Sequence, residues 1–439
     1  MRIALVGNMN NNNFAILRYL RDLGEDAHLL LNKNDGTGTL AHFSPESDTW
    51  EIEKWSPYIH QTEIHDSNIS ILGNKMPYNL VYYPRYIYKL LTDPSNSSLY
   101  KPVTKNSLNS TYKGYDAYIG SGLSPSILAR VGINLDIFYP YGIGIENLGD
   151  RPTKKILNNS PLIKKAITKE IVRRQKQSIK SAKNCINSDL SLTKDTFEEI
   201  NVPFLPWFSP MIYNNESKPS LDKLSPVLQK TYKDIATRDF TIIMHSRQMW
   251  VNPGEYSTDE WEDRSKHNEW LIKSFAQLLK TRKGHNCALY LLEYGPDVEA
   301  SKVLCAELGI QENVIWLPKM TRKELMLILS WCDIGTGEFV TEHGCMWGGT
   351  AWETLASGKP LIQGLCFDEN EFQSEFGFEL PPMLAVKKEQ DILNHLQDAV
   401  DAPEKMKQIG TQSHKWFNDN NGIGLAKKWI NLIKTKGQY

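Results

Sequence analysis

The chain has 439 residues, more than one hydrophobic core usually serves, so two domains are expected. Its 50 Lys and Arg against 51 Asp and Glu leave a formal net charge of −1, which argues against a dedicated nucleic-acid binder. Met1 to Gly7 supplies one short apolar strand rather than a signal peptide, and no apolar run approaches the roughly 20 residues of a membrane span. The chain is therefore read as soluble and cytoplasmic.

In chain order, Ile3 to Gly7 is apolar, Asn8 to Asn13 is a polar turn with Asn13 as a candidate N-cap, and Phe14 to Leu23 has helical spacing. This is the first unit of a doubly wound sheet. Short apolar strands are expected at 27–31, 80–83, 117–119 and 137–139, and residues 34–78 and 90–113 read as long polar loops. That leaves His60 and His65 in loops. A helix spans about 162–183, and the stretch 151–183 carries eleven basic residues against the single acid Glu170, which reads as a solvated helix face or as one that could rest on anionic lipid. Residues 209–238 are polar with three prolines and read as an interdomain linker between domains at 1–208 and 239–414. The final helices, 415–439, are expected to pack back on the first domain.

A second alternation starts at Phe240 to Met244 and continues through strands at 288–292, 314–317, 333–334 and 360–362, with helices at about 267–280, 298–308 and 322–331. Such alternation implies a parallel sheet with ligands at the carboxyl ends of its strands.

The most informative segment is Gly348-Gly349-Thr350-Ala351-Trp352-Glu353, followed by Ala356-Ser357-Gly358-Lys359-Pro360. Two glycines opening a helix expose backbone N–H groups to which a diphosphate can come close. Thr350-x-x-Glu353 also has capping-box spacing, which would place Glu353 in the first turn as a helix cap. The six cysteines have no C-x-x-C pair and the histidines no H-E-x-x-H, so neither points to a metal.

This segment resembles the signature of retaining glycosyltransferases of family 4 and its relatives. The resemblance extends in order through Ser246-Arg247, Lys266 before Asn268, Gly295-Pro296-Asp297, the stretch around Asn313 to Pro318, and Asp333-Ile334. It implies an α/β fold of GT-B type, two Rossmann-like domains facing across a cleft, and transfer of a sugar from a nucleoside diphosphate, UDP- or GDP-linked, to an acceptor hydroxyl with retention. No resident cofactor or metal is implied. Glu353 would bind the ribose hydroxyls, with Gly348, Gly349 and Thr350 at the diphosphate and Leu317 near the base. Arg247 and Lys266 would neutralise the departing diphosphate. Where the family often has a Glu, eight positions before Glu353, this chain has Cys345, and Glu342 beside His343 is the nearby carboxylate that could approach the donor sugar. Between Arg247 and Lys266, Gln248 to Ser265 is an insertion that could cap the donor site or decorate its rim. Gly7, Asn8 and Gly122 are the candidates on the first domain for the cleft or acceptor, which would be a glycan or a lipid-linked one at the inner face of the membrane. A GT-B sugar-nucleotide epimerase and a non-catalytic nucleotide- or glycan-binding protein are the competing readings.

Overall fold

The computed structural model describes residues 1–33, 44–65, 105–129, 131–140, 162–187, 190–210, 212–251, 265–340, 347–365 and 368–435. The chain divides into two compact units. One takes in Met1–Ser47, Glu51–Tyr213 and Ile423–Tyr439, and the other Asp48–Trp50 and Asn214–Gly422. The segment 209–238, expected as linker, thus spans the boundary after Tyr213 and includes the helix Pro226–Ile235, which buries Leu228, Thr231 and Ile235.

The first unit holds a parallel sheet of strands β1 (Arg2–Val6), β2 (Asp26–Lys33), β3 (Ile59–His65), β4 (Ala117–Gly120) and β5 (Ile137–Phe138), in the order β3-β2-β1-β4-β5. β1 opens the chain and sits in the middle, paired with β2 on one side and β4 on the other, so its four buried residues Ile3 to Val6 are apolar throughout. The helix Asn12–Asp22 buries Phe14, Ala15, Ile16, Leu17 and Leu20 against this sheet. The helix Ile423–Lys434 adds Leu425, Ala426 and Trp429 to the same core.

Three expectations change here. Residues 59–65, expected in a loop, form the edge strand β3, which places His60 and His65 on a strand. An edge strand pairs on one side only and tolerates the polar alternation of Ile59-His60-Gln61-Thr62. The Lys105–Tyr112 segment, also expected as loop, is a helix that buries Leu108 and Tyr112. The helix after β1 begins at Asn12 with Asn11 as its N-cap, so Asn13 is not the cap. The expected strand at 80–83 lies outside the described residues.

The second unit holds β6 (Phe240–Met244), β7 (Cys287–Leu292), β8 (Val314–Leu317), β9 (Ile334–Thr336), β10 (Leu361–Gly364) and β11 (Leu384–Val386), all parallel, in the order β11-β10-β9-β6-β7-β8. The chain builds outward from β6 through β7 to β8, then crosses to β9 on the other side. The carboxyl ends of β6 and β9 therefore border a topological switch point, where open α/β sheets bind ligands. In the first unit β1 and β4 hold the equivalent place. Among the described residues, no helix is long and apolar enough to cross a membrane.

Candidate active site

The loop after β6 carries His245, Ser246 and Arg247, and its shape is fixed by the neighbouring turn after β7. Gln248 N–H donates to the Tyr294 carbonyl at 2.7 Å, and Asp297 N–H returns a bond to the Gln248 carbonyl at 3.0 Å. The Asp297 carboxylate accepts from the N–H groups of Trp250 and Val251 at 2.7 and 2.9 Å. Gly295, at φ 120°, lies so close to the Gln248 backbone that a side chain there would collide with it. The Gly295-Pro296-Asp297 turn thus clamps the loop that presents Arg247. Asn268, fully buried at the start of the helix Asn268–Thr281, holds the same loop from below, accepting from Met249 N–H at 2.9 Å and donating to Ser246 Oγ at 3.2 Å. Arg247 itself is exposed.

The helix Gly349–Ser357 starts from Gly348 as N-cap, with φ −66° and ψ 172°, and ends at Gly358 in the left-handed region, after which Lys359-Pro360 leads into β10. The capping-box expectation fails. Thr350 is already the second helical residue, and a cap has to precede the free N–H groups it serves. Among the described residues its hydroxyl is buried without a partner, and Glu353, the helix's fifth residue, faces inward instead of capping the first turn.

Glu353 is 7% exposed and divides its oxygens between two partners. His245 Nε2 lies 2.8 Å from Oε2, and Arg322 donates from Nε to Oε1 at 2.9 Å. Arg322 also donates from Nη1 to Asp48 Oδ1 at 3.0 Å. Burial by itself pushes the Glu353 carboxyl up. The His245 hydrogen bond and the Arg322 charge outweigh it and hold the group below the usual glutamate range. An ionised carboxylate only accepts, so His245 Nε2 carries the proton, and His245 Nδ1 is buried without a partner among the described residues. For Arg322, burial opposes the charge, but the Asp48 and Glu353 carboxylates more than compensate and raise its pKa.

Lys266 pairs with Glu338, which follows β9. The Glu338 carboxylate oxygens lie 3.0 and 3.3 Å from where a side chain on Gly348 would begin, so this ion pair sits against the glycine that opens the helix. Gln363 of β10 secures the segment, donating to the Glu338 carbonyl at 2.7 Å. Leu317, at the carboxyl end of β8, is 3% exposed and accepts through its carbonyl from Glu293 N–H at 2.8 Å.

Of the residues expected from sequence, Lys266 and Gly348 are thus brought together through Glu338, and Glu353 lies on the same helix as Gly349 and Thr350. Glu342 and Cys345 lie outside the described residues, as does most of the 248–265 insertion. Sequence reasoning missed His245, Glu338, Arg322 and Asp48. His245 adjoins the recognised Ser246-Arg247, and Glu338 follows a strand end, so both had a positional signal. Asp48 had none, being 274 residues from Arg322.

In the first unit, Gly7 has φ 87°, and the Ser121 hydroxyl and carbonyl lie 3.0 and 3.1 Å from where its side chain would begin, so the loops after β1 and β4 meet. Asn8 is 3% exposed, and its side chain accepts from Phe14 N–H at 3.0 Å and donates to Asn11 Oδ1 at 2.8 Å, so it shapes the turn. Gly122 accepts from Gln175 Nε2 at 2.8 Å.

No protein-family model matches the chain, and no curated protein matches it in sequence. Solved structures do. Alr3699/HepE of Anabaena in complex with UDP is 12% identical, with a TM-score of 0.53 over 99% of this chain and 100% of that one. HepE is also solved with UDP-glucose. A glycosyltransferase from Rickettsia africae is 13% identical, with a TM-score of 0.50 over 100% of this chain and 98% of that one. Sucrose-phosphate synthase from Thermosynechococcus elongatus is likewise 13% identical, with a TM-score of 0.50 and the same coverage. Identity this low speaks to architecture, and with the two parallel sheets it gives the chain the GT-B fold of two Rossmann-like α/β domains.

Proposed function

We propose that this chain is a GT-B glycosyltransferase that moves a sugar from a nucleoside diphosphate, UDP- or GDP-linked, to an acceptor hydroxyl with retention at the anomeric carbon. The observation that carries the reading is Glu353, a buried, ionised carboxylate on a helix opened by Gly348 and Gly349, next to the switch point that bears Arg247 and Lys266. In this reading Glu353 accepts the ribose hydroxyls. The N–H groups at Gly349 and Thr350 receive the diphosphate, and Leu317 lies by the base. Because a fold does not fix a reaction, the assignment stands on these residues, and the UDP and UDP-glucose complexes of HepE support the donor class.

Arg247 and Lys266 neutralise charge as the sugar–phosphate bond breaks. The acceptor oxygen forms the new bond on the same face, and its proton passes to the leaving phosphate. Glu342 takes the donor-sugar contact in place of the residue that Cys345 replaces. Gly7, Asn8 and Gly122 belong to the acceptor side. The acceptor is a glycan or lipid-linked hydroxyl in surface polysaccharide or glycolipid synthesis, on the cytoplasmic side, with residues 151–183 resting on anionic lipid. No cofactor beyond the sugar nucleotide is invoked.

Thermal stabilisation by UDP-, GDP-, ADP- and dTDP-sugars, followed by nucleotide release with and without glycan acceptors, tests this. One donor class should stabilise the protein, and Glu353→Ala or Arg247→Ala should weaken its binding about tenfold or more, the worth of a hydrogen bond to a charged group. Stabilisation unchanged by both substitutions would remove the site assignment. Cys345 favours one second reading, a non-catalytic binder, which would show stabilisation with no release under any acceptor.

A further inference from the structure

We infer that Asp48, acting through Arg322, is a positioning residue that sets Glu353 for a ribose diol, with His245 as the second brace. The inference rests on the ribose reading of Glu353 above.

The four groups form one buried chain, Asp48 to Arg322 to Glu353 to His245, with links of 3.0, 2.9 and 2.8 Å. Their side chains are 2, 14, 9 and 1% exposed in that order, so water does not screen them. Arg322 makes the two bonds from different nitrogens of its planar guanidinium, Nε and Nη1, which fixes the plane of the fork as well as its position. Arg322 is the first residue of the helix Arg322–Trp331, whose capping box of Thr321 and Glu324 fixes where that helix starts.

Asp48 is held with equal care. It belongs to the short segment Asp48–Trp50 that the second unit takes in. Glu216 accepts from both the Thr49 hydroxyl and, at 2.7 Å, the Trp50 N–H. Lys323, next to Arg322, donates to the Thr49 carbonyl at 3.2 Å and sits 4.9 Å over the Trp50 ring. Trp50 packs on the core that includes Leu325 and Ile328 of the same helix. The segment is thus docked on the helix that carries Arg322, far from it in sequence.

Charge explains why a second carboxylate is useful. One glutamate facing one arginine is a closed, neutral pair with little reason to recruit hydroxyl donors. Asp48 divides the arginine's charge between two carboxylates, leaving a net negative charge in the triad of Asp48, Arg322 and Glu353. A carboxylate offers about four acceptor sites over its two oxygens, of which His245 and Arg322 occupy one on each among the described residues, leaving acceptor capacity for two vicinal hydroxyls.

The test is calorimetric binding of UDP, GDP and ADP, each against its 2′-deoxy counterpart, to the full chain. The wild type should prefer the ribose form of its best ligand by about tenfold or more. Glu353→Gln should bring that ratio near one. Asp48→Asn should also bring it most of the way to one, and Asp48→Glu should restore part of it. A merely structural Asp48 would lower the melting temperature and leave the ratio where it was. If Asp48→Asn does not fold, His245→Gln, which keeps a donor for Glu353 in a displaced position, should lower the ratio in the same direction. If the wild type discriminates and Glu353→Gln does not, yet Asp48→Asn and His245→Gln keep the full ratio, the positioning role is wrong and the ribose reading stands. If the wild type shows no preference for ribose, the ribose reading fails and the inference with it.

Discussion

At the scale of single residues, Glu353, the proposed ribose-binding group, is also a stability element. Its carboxyl is held below the usual range in the folded chain. The stabilisation it brings is therefore complete above the ordinary glutamate value and is lost as pH falls through its lowered value, because the unfolded chain binds the proton first. Urea titrations across the acid range should show Glu353→Gln with a shallower loss of stability than the wild type. Glu353→Ala, which takes the partner from His245 Nε2 and leaves Arg322 with Asp48, should cost about 1–3 kcal/mol at neutral pH. These residues were unequally legible. Glu353 and Lys266 lie in spaced motifs that a linear reading can find. Asp48 does not, because what brings it to Arg322 is the docking of a three-residue segment, not any local pattern.

Among elements, the turn after β7 decides where Arg247 stands. Gly295 occupies backbone conformation that only glycine adopts easily, and its neighbour is the Gln248 backbone, which cannot step aside as a side-chain tip could. Gly295→Ala should cost about 1–3 kcal/mol by strain and lower nucleotide affinity as well, read by thermal unfolding and calorimetry on one preparation. The edge pair β2 and β3 carries a different device. His28 Nδ1 lies 2.8 Å from His60 Nε2, with the rings stacked, and burial followed by the His28 charge lowers the His60 pKa. With the folded value depressed, stability should begin to fall as pH drops through the ordinary histidine value and should level off below the lowered one. His60→Gln should remove that limb of the profile.

The same strand shows why element reading fell short. Buried central strands such as β1 and β6 are continuous apolar runs, and the helices between them keep their period, so most of the alternation could be read directly. β3 pairs on one side of its sheet, so fewer of its side chains are required to be apolar, and the signal fades. β11 is apolar but only three residues long, Leu384–Val386, too short to stand out as a run. The opening of the helix Gly349–Ser357 by two glycines was legible, and the competing capping-box reading of Thr350 and Glu353 fails. Thr350 has the right spacing to Glu353, and only the position of the helix start, fixed by the backbone of Gly348, decides against it.

Over the whole molecule, several ordered motifs across the second half made the GT-B architecture legible where no single motif would. Solved structures at 12 to 13% identity share it, as expected where apolar patterning survives when residue identity does not. The chain leaves the second unit after Gly422 and contributes Ile423–Lys434 to the core of the first. Trp429 there is fully buried, with its ring 5.4 Å from that of Tyr139. Trp429→Ala should cost the first unit about 3–5 kcal/mol, seen in denaturant unfolding as an earlier transition of that unit.

Glu353 and the glycine-opened helix are the proposed grip on the ribose and diphosphate of a nucleoside diphosphate. A crystal structure of the protein soaked with the best-binding nucleoside diphosphate tests it most directly. The ribose hydroxyls should lie within hydrogen-bond distance of Glu353, and the diphosphate against Gly348, Gly349 and the Arg247 and Lys266 side chains. A nucleotide bound elsewhere, with the Asp48 to His245 chain untouched by it, would contradict the account.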